Sequence, residues 1–330
     1  MYPPDFWTRR DWVSKLIVSL LTPAGWFYAA SVVLRAKFTR QYRSRAKVVC
    51  IGNLTVGGTG KTPIAREIAR ILIARGAKPV FLTRGYGGKV RGPRLVTSDD
   101  LASEVGDEPV MLAKTAPVIV ARDRAAGARL AEQSGFDTII MDDGYQNFAL
   151  AKDLSLVVVD GELGFGNKHV LPAGPLRENV TRGLRRADAT IVNGTDLPPE
   201  LLAARLPLIN SRIVPEEQSG WTERRVLAFA GIGRPDKFFS SLSAVGAKIV
   251  ATRAFPDHHV FTESELEQLR TLARSKDATL VTTEKDSARL SPAERQDILS
   301  FPIRIEFIDS VALMHLLDSL VRRALPPQPQ

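Results

Sequence analysis

Cysteine is almost missing: Cys50 stands alone in 330 residues. That excludes an intrachain disulfide and any multi-cysteine metal cluster, and it fits a reducing compartment. Histidine is scarce as well, with four residues. A zinc site would take three of them, and none has a ligand-spaced partner, so zinc is not expected. There is no internal repeat and no long low-complexity tract. With 44% hydrophobic and 25% charged residues, wholesale disorder is excluded too. Acidic residues run short in one place. The first 47 residues hold only Asp5 and Asp11 against Arg9, Arg10, Lys15, Arg35, Lys37, Arg40, Arg43, Arg45 and Lys47. Seven of the chain's nine surplus positive charges therefore sit in this attachment, and the remainder is near neutral. That is not the charge pattern of a nucleic-acid coat, and no nucleic-acid partner is expected.

Charge of either sign is absent from Leu16 to Leu34. Nineteen residues make a helix of about 28 Å, close to a hydrocarbon core of about 30 Å. Thr22-Pro23-Ala24-Gly25 interrupts the run, where a helix is expected to bend or split. Trp7, Trp12, Trp26, Phe27 and Tyr28 suit the headgroup level, and Arg35–Lys47 suits anionic lipid. No small-residue cleavage pattern closes the run, so a secretory signal fits poorly. A core helix hairpin is the plainer alternative; membrane association, with the basic flank cytoplasmic, is the favoured one.

What is present beyond this segment is an α/β alternation. Short Val- and Ile-rich runs at Val48–Ile51, Pro79–Leu82, Pro117–Ala121, Thr138–Met141, Leu156–Asp160 and Thr190–Asn193 read as strands buried on both faces of a parallel sheet. Pro63–Arg75 reads as a helix with Ile64, Ile68, Ile71 and Leu72 as its apolar stripe. Leu197–Gln218 reads as a connector. A second alternation follows, with strands at Val226–Ala230, Lys248–Thr252, Leu280–Thr282 and Ile303–Ile308, and helices at Asp236–Val245, Glu263–Ser275 and Val311–Ala324. The tail Pro326–Gln330 is expected to fray. The chain length supports this division into an N-terminal apolar helical segment (1–46), a parallel-sheet domain of the P-loop NTPase type (47–215) and a smaller α/β domain (216–330).

Thr55-Val56-Gly57-Gly58-Thr59-Gly60-Lys61-Thr62 lies between a strand and a helix. Its glycines let backbone N–H groups surround phosphate oxygens, and the helix N-terminus adds partial positive charge. Lys61 supplies a cation for the β- and γ-phosphates, and the Thr62 hydroxyl suits Mg2+. Thr55 replaces the first glycine of the usual pattern. Cys50 is read as a small core residue. Asp142 and Asp143 end an apolar strand on the edge of the sheet that carries this loop, where at least one of them suits Mg2+, the other orienting a neighbour.

Four further candidates each have a plain alternative. Asp107 is either a helix cap or a catalytic acid. His258 and His259 are either exposed loop residues or a base. Arg177, on the stiff Leu171–Glu178 loop, either clamps a phosphoryl group or pairs with Glu178 at the surface. Asn193-Gly194-Thr195-Asp196 has Gly where a guanine-stacking Lys would stand, which argues against GTP.

The motifs occur together in one order: Thr55–Pro63, Arg84-Gly85-Tyr86, Gly106-Asp107-Glu108-Pro109, Asp142-Asp143-Gly144-Tyr145-Gln146, Leu171–Glu178, Phe255-Pro256-Asp257-His258-His259 and Thr283-Glu284-Lys285-Asp286. From the N-terminal segment to about Leu290 the chain resembles the tetraacyldisaccharide 4'-kinases, the lipid A 4'-kinases of Gram-negative bacteria. Thr55 is usual in that family. The resemblance implies ATP-dependent phosphorylation of the 4'-hydroxyl of a tetraacylated glucosamine disaccharide 1-phosphate at the cytoplasmic face of the inner membrane. An N-terminal apolar hairpin with a basic collar suits such a lipid substrate. It further implies that Lys61 and Arg177 neutralise the transferring charge, that Asp107 with His258 takes the hydroxyl proton, and that Asp142 and Asp143 serve the metal. His258 is preferred to His259 because it directly follows Asp257. Since Asp107 and His258 come from different halves, closure of the domains over substrate is expected to assemble them. Arg84-Gly85-Tyr86 and Thr283-Glu284-Lys285-Asp286 are structural or substrate-facing. No protein partner is implied. The rival class is a nucleotide-switch NTPase with a Gly-Gly-x-Gly-Lys-Thr loop. That class usually carries Lys at the place of Val56 and has no need of the apolar run.

Overall fold

The computed structural model describes residues 4–9, 11–216 and 220–322. Its strands are β1 (Lys47–Gly52), β2 (Pro79–Thr83), β3 (Arg94–Leu95), β4 (Val118–Val120), β5 (Thr138–Asp142), β6 (Leu154–Asp160), β7 (Ala189–Asn193), β8 (Leu208–Pro215), β9 (Arg225–Ala230), β10 (Lys248–Ala254), β11 (Thr279–Thr283), β12 (Ile298–Phe301) and β13 (Ile303–Phe307). Every strand and helix expected from the sequence beyond residue 46 is present within two residues of its place. The expected tail 326–330 and the last residues of the final helix lie outside the described residues.

Nine strands form one sheet in the order β13-β8-β7-β6-β1-β5-β2-β4-β3. Seven are parallel, and an antiparallel strand closes each edge. The central strands are unbroken apolar runs because both faces are covered. Val48, Cys50, Ile139 and Met141 pack on one side; Val49, Ile51, Ile140 and Leu156 pack on the other with Ile64, Ile68 and Leu72 of the helix Lys61–Ala74. Cys50 is a core residue, and burial pushes its thiol up to about 11. The second sheet is all parallel, in the order β10-β9-β11-β12.

Two expectations change. Leu197–Gln218 is not a bare connector: it holds the helix Pro199–Ala204 and β8, an inner strand of the large sheet. Sheet membership also departs from a cut at residue 216. After β12 the chain returns, β13 pairs antiparallel with β8, and the helix Val311–Arg322 packs Leu313, Leu317 and Leu320 into the cluster beneath the large sheet. The second lobe is thus strung between two neighbouring strands of the first.

The N-terminal segment is a short 3-10 turn, Asp5–Trp7, followed by one α-helix, Trp12–Phe38, about 40 Å long, not a hairpin. Asp11 caps it by accepting from Ser14 N at 2.9 Å. Pro23 removes one backbone donor, while Thr22 Oγ1 donates to the Val18 carbonyl at 2.7 Å. In so apolar a run of helix formers, one lost bond does not end the helix. Trp12, Leu16, Leu20, Trp26, Phe27 and Phe38 are exposed along it. Its length and composition suffice to cross a membrane.

Candidate active site

The phosphate loop leaves β1 beside β5, where Ile51 is in register with Asp142. The loop is tied down on one side: Thr55 bridges Leu176, and Val56 N donates to the Pro175 carbonyl at 2.8 Å. Thr59 Oγ1 accepts from Asn53 Nδ2 at 3.3 Å. Gly57 and Gly58 lie exposed with open space where a Cβ would stand, so their backbone is accessible to an anion. Gly60 closes the loop at φ 86° as the cap of the helix, and a Cβ there would meet Asn193 Nδ2 at 2.8 Å. Only glycine fits that backbone and that neighbour.

Lys61 and Thr62 open the helix and face the strand-end carboxylates. Lys61 Nζ lies 3.6 Å from Asp143 Oδ1. Arg177 reaches the same carboxylate with two nitrogens, at 2.9 and 3.2 Å. Burial works to raise the Asp143 carboxyl, but Lys61 and Arg177 hold it below its ordinary value. Arg177 is therefore not paired with Glu178, which is buried and bonded to Arg186 and Gln146.

Asp142 is different. Oδ2 accepts from Thr62 Oγ1 at 2.9 Å, while Oδ1 is buried with no hydrogen-bond partner. Burial, then the nearby Glu108 and Asp143 charges, pushes it up to about 7. Glu108 is raised too, by burial first. An orphaned carboxylate oxygen beside a threonine hydroxyl fits a hard cation. No group of three His, Cys, Asp or Glu side chains suited to a metal exists among the described residues. Mg2+ takes one or two protein oxygens and completes its shell elsewhere.

The proton-transfer candidates meet across the seam between the lobes. Asp107 opens the helix Asp107–Ala113. It is the first helical residue rather than the cap, and its Oδ1 accepts from Glu108 N at 2.9 Å. Oδ2 faces the second lobe, 3.3 Å from His258 Nδ1. The pair expected to form on closure already stands formed in this arrangement of the lobes. Burial alone would raise the Asp107 carboxyl; the His258 hydrogen bond, Lys285 and Arg289 hold it well below the usual range. His258 sits at φ 61°, its ring edge-on to Tyr86 at 5.4 Å. Its Nε2 lies 3.1 Å from Lys285 Nζ. Asp107 only accepts and Lys285 only donates, an arrangement that suits a hydrogen on Nδ1 and a lone pair on Nε2, although Arg289 Nη2, also a donor, lies 3.4 Å from Nδ1. His259 is occupied elsewhere, bonded to Glu265 at 3.0 Å and stacked on Phe255.

The family model for "Tetraacyldisaccharide-1-P 4'-kinase" matches residues 17–322. This chain belongs to that family. The tetraacyldisaccharide 4'-kinase of Paramagnetospirillum magneticum is 46% identical over 330 residues, covering 98% of this chain and all of the relative. That of Methylorubrum extorquens strain PA1 is 47% identical over 309 residues, covering 91% and 92%. A crystal structure of LpxK from Aquifex aeolicus in complex with ATP superposes with a TM-score of 0.74 at 26% identity, covering 92% of this chain and 99% of that one. The kinase fold and the kinase assignment both follow, with the N-terminal apolar helix as part of the molecule.

This kinase chain also holds a residue that the motifs did not disclose. Arg289 is partly buried and grips Asp107 Oδ2 at 2.7 and 3.0 Å, Asp286 Oδ1 at 2.7 Å and the Gly231 carbonyl at 3.0 Å. A spacing of three residues from Asp286 was its only trace in the sequence. The Thr283–Asp286 motif divides its work. Glu284 makes a buried bond to Arg66 of the phosphate-loop helix at 2.9 Å, Asp286 accepts from Gly231 N at 3.0 Å, and Lys285 faces His258. A second set crosses the seam at the end of β6, where Arg234 and Lys237 meet Asp160 at 2.8 and 3.2 Å.

Proposed function

We propose that the chain transfers the γ-phosphoryl group of ATP to the 4'-hydroxyl of a tetraacylated disaccharide 1-phosphate in the following way. The phosphate loop, Thr55 to Thr62, cradles the triphosphate with backbone N–H groups, and Lys61 and Arg177 offset the charge of the group in transfer. Asp142 and Thr62 hold Mg2+, while Asp143 orients the two cations. When bound, Mg2+ draws charge from the phosphate oxygens. Asp107 fixes the His258 tautomer so that Nε2 accepts the proton of the 4'-hydroxyl as its oxygen bonds to phosphorus and ADP leaves. One observation carries this reading: Asp107 opens a helix of the nucleotide lobe, yet its carboxylate lies 3.3 Å from a histidine of the other lobe.

The exposed apolar helix and the basic residues 35–47 support attachment to the anionic cytoplasmic face of the inner membrane, where an acylated substrate resides. The deciding experiment incubates purified protein, Mg-ATP and the disaccharide 1-phosphate, and locates the new phosphate by mass spectrometry. Phosphate at the 4'-position supports the reading; ATP hydrolysis without a phosphorylated lipid overturns it in favour of a nucleotide-switch NTPase.

A further inference from the structure

The N-terminal helix meets the body of the protein at a particular loop. Among the described residues, apart from the helix cap at Thr39, the hydrogen bonds that link residues 4–38 to the rest of the chain run to His169–Pro172. Trp7 Nε1 donates to the Pro172 carbonyl at 3.1 Å, and Thr22 Oγ1 lies 3.5 Å from His169 Nδ1. Between them the helix backbone presses onto the loop at Gly25. A Cβ there would stand 3.0 Å from the Val170 carbonyl oxygen and 3.7 Å from that of Leu171. Gly25 is buried in a helix most of which is not.

The same loop is stitched to itself and then to the phosphate loop. Leu171 N donates to the Leu176 carbonyl at 2.8 Å, and Leu176 N donates to the His169 carbonyl at 3.1 Å. Asn167 Nδ2 donates to the Ala173 carbonyl at 3.0 Å. Pro175 accepts from Val56 N at 2.8 Å, and Arg177 N donates to the Leu54 carbonyl at 2.7 Å. Arg177 then reaches Asp143. Four residues separate Pro172, which Trp7 holds, from Arg177, whose guanidinium faces the phosphate cluster. Loop segments this short and this bonded transmit a displacement at one end to the other.

We propose that Gly25, with Trp7, is a positioning residue for phosphoryl transfer: the N-terminal helix holds the 169–177 loop so that Arg177 and the phosphate loop stay aligned. The helix is thereby part of the catalytic framework as well as an attachment. This rests on the reading of Arg177 as a charge-neutralising group.

The test uses the full chain in mixed micelles at saturating Mg-ATP, with Gly25→Val, Gly25→Ala, Trp7→Phe and Arg177→Ala, singly and with Gly25→Val or Trp7→Phe combined with Arg177→Ala. Gly25→Val forces a branched side chain against Val170 and should lower kcat about tenfold. Vesicle binding and the acceptor KM should stay within about twofold. Gly25→Ala should recover most of the loss, and Trp7→Phe, which removes a single bond outside the packed core, should lower kcat about threefold. Added to Arg177→Ala, neither helix change should cost more turnover, because it acts through the group already removed. Unchanged kcat with a raised acceptor KM would overturn the proposal and leave the helix as an attachment alone; so would losses that multiply with Arg177→Ala. If Gly25→Val melts far below the parent, Trp7→Phe decides by the same criteria. Full turnover in Arg177→Ala would instead overturn the reading of the site itself.

Discussion

Lys285 Nζ stands 3.1 Å from His258 Nε2, on the ring nitrogen opposite the one that meets Asp107. The nitrogen proposed to take the sugar proton is thus held by an ammonium group. Asp257 Oδ1, 3.5 Å from the same ammonium, is a place to which it can turn when a hydroxyl arrives. The half-buried Glu108 feels both Lys285 and Lys61, so Lys285 borders the phosphate cluster. Lys285→Met should therefore lower kcat by roughly 10- to 100-fold, the scale of one oriented charge-stabilising group, with the ATP KM nearly unchanged. Faster turnover in steady-state assays would show that the lysine merely obstructs Nε2.

Asp107 and His258 should act as one unit. Asp107→Ala and His258→Ala should each reduce turnover strongly, within the roughly 10²–10⁴-fold range of a positioned base. The double variant should be little worse than the worse single, and ATP affinity should hold in all three. Strictly multiplicative losses would assign the two residues independent roles.

Lys61→Ala should cut turnover on the order of 10²-fold or more. Near-normal turnover in a coupled ADP assay would sink the phosphate-loop assignment. The fold should survive, because the Lys61 side chain contributes an ion pair to Asp143 rather than apolar packing.

Acid sensitivity follows from Asp107. Its carboxyl is held well below the ordinary value of 3.8, so its contribution to stability is fully present above that value and is lost as pH falls below it. Asp107→Asn should be less stable than the parent at neutral pH, since Arg289 loses a charged partner. The gap in melting temperature should narrow as pH drops below 3.8. A gap that stays constant from pH about 6 to about 3 would show that the carboxylate charge is not what stabilises the seam.

Deleting residues 1–34 removes most of the exposed apolar helix while leaving β1 and the phosphate loop. The truncated protein should move from the membrane to the soluble fraction and bind acceptor more weakly. Persistence in the pellet after a high-salt wash would place the attachment elsewhere.

Legibility in the sequence followed burial. β1, β5 and β6 were readable because strands covered on both faces are continuous apolar runs. β8 was not: Asn210-Ser211-Arg212 interrupt it, although Ser211 is fully buried and donates to the Val192 carbonyl. Its polar middle reads as a loop until the neighbouring strand is known. Pro23 reads locally as a break, whereas the helix runs through it because one absent bond is small beside an uninterrupted apolar run. Lys61, Thr62 and Asp142 could be placed from local order alone, since loop, helix start and strand end share a sheet edge. Arg289 could not, because its importance comes from a carboxylate 182 positions away.

The return of β13 and the final helix to the first sheet has a consequence during synthesis. Ile64, Ile68 and Leu72 behind the phosphate loop share their cluster with Leu313, Leu317 and Leu320. The nucleotide lobe precedes the second lobe in the chain but cannot close its own underside until residues 311–320 have left the ribosome. In the interval that apolar surface is bare, while the N-terminal helix, emerging first, can already meet the lipid. A chain interrupted before Val311 would keep every motif of the site and still lack the covering for the helix that presents Lys61.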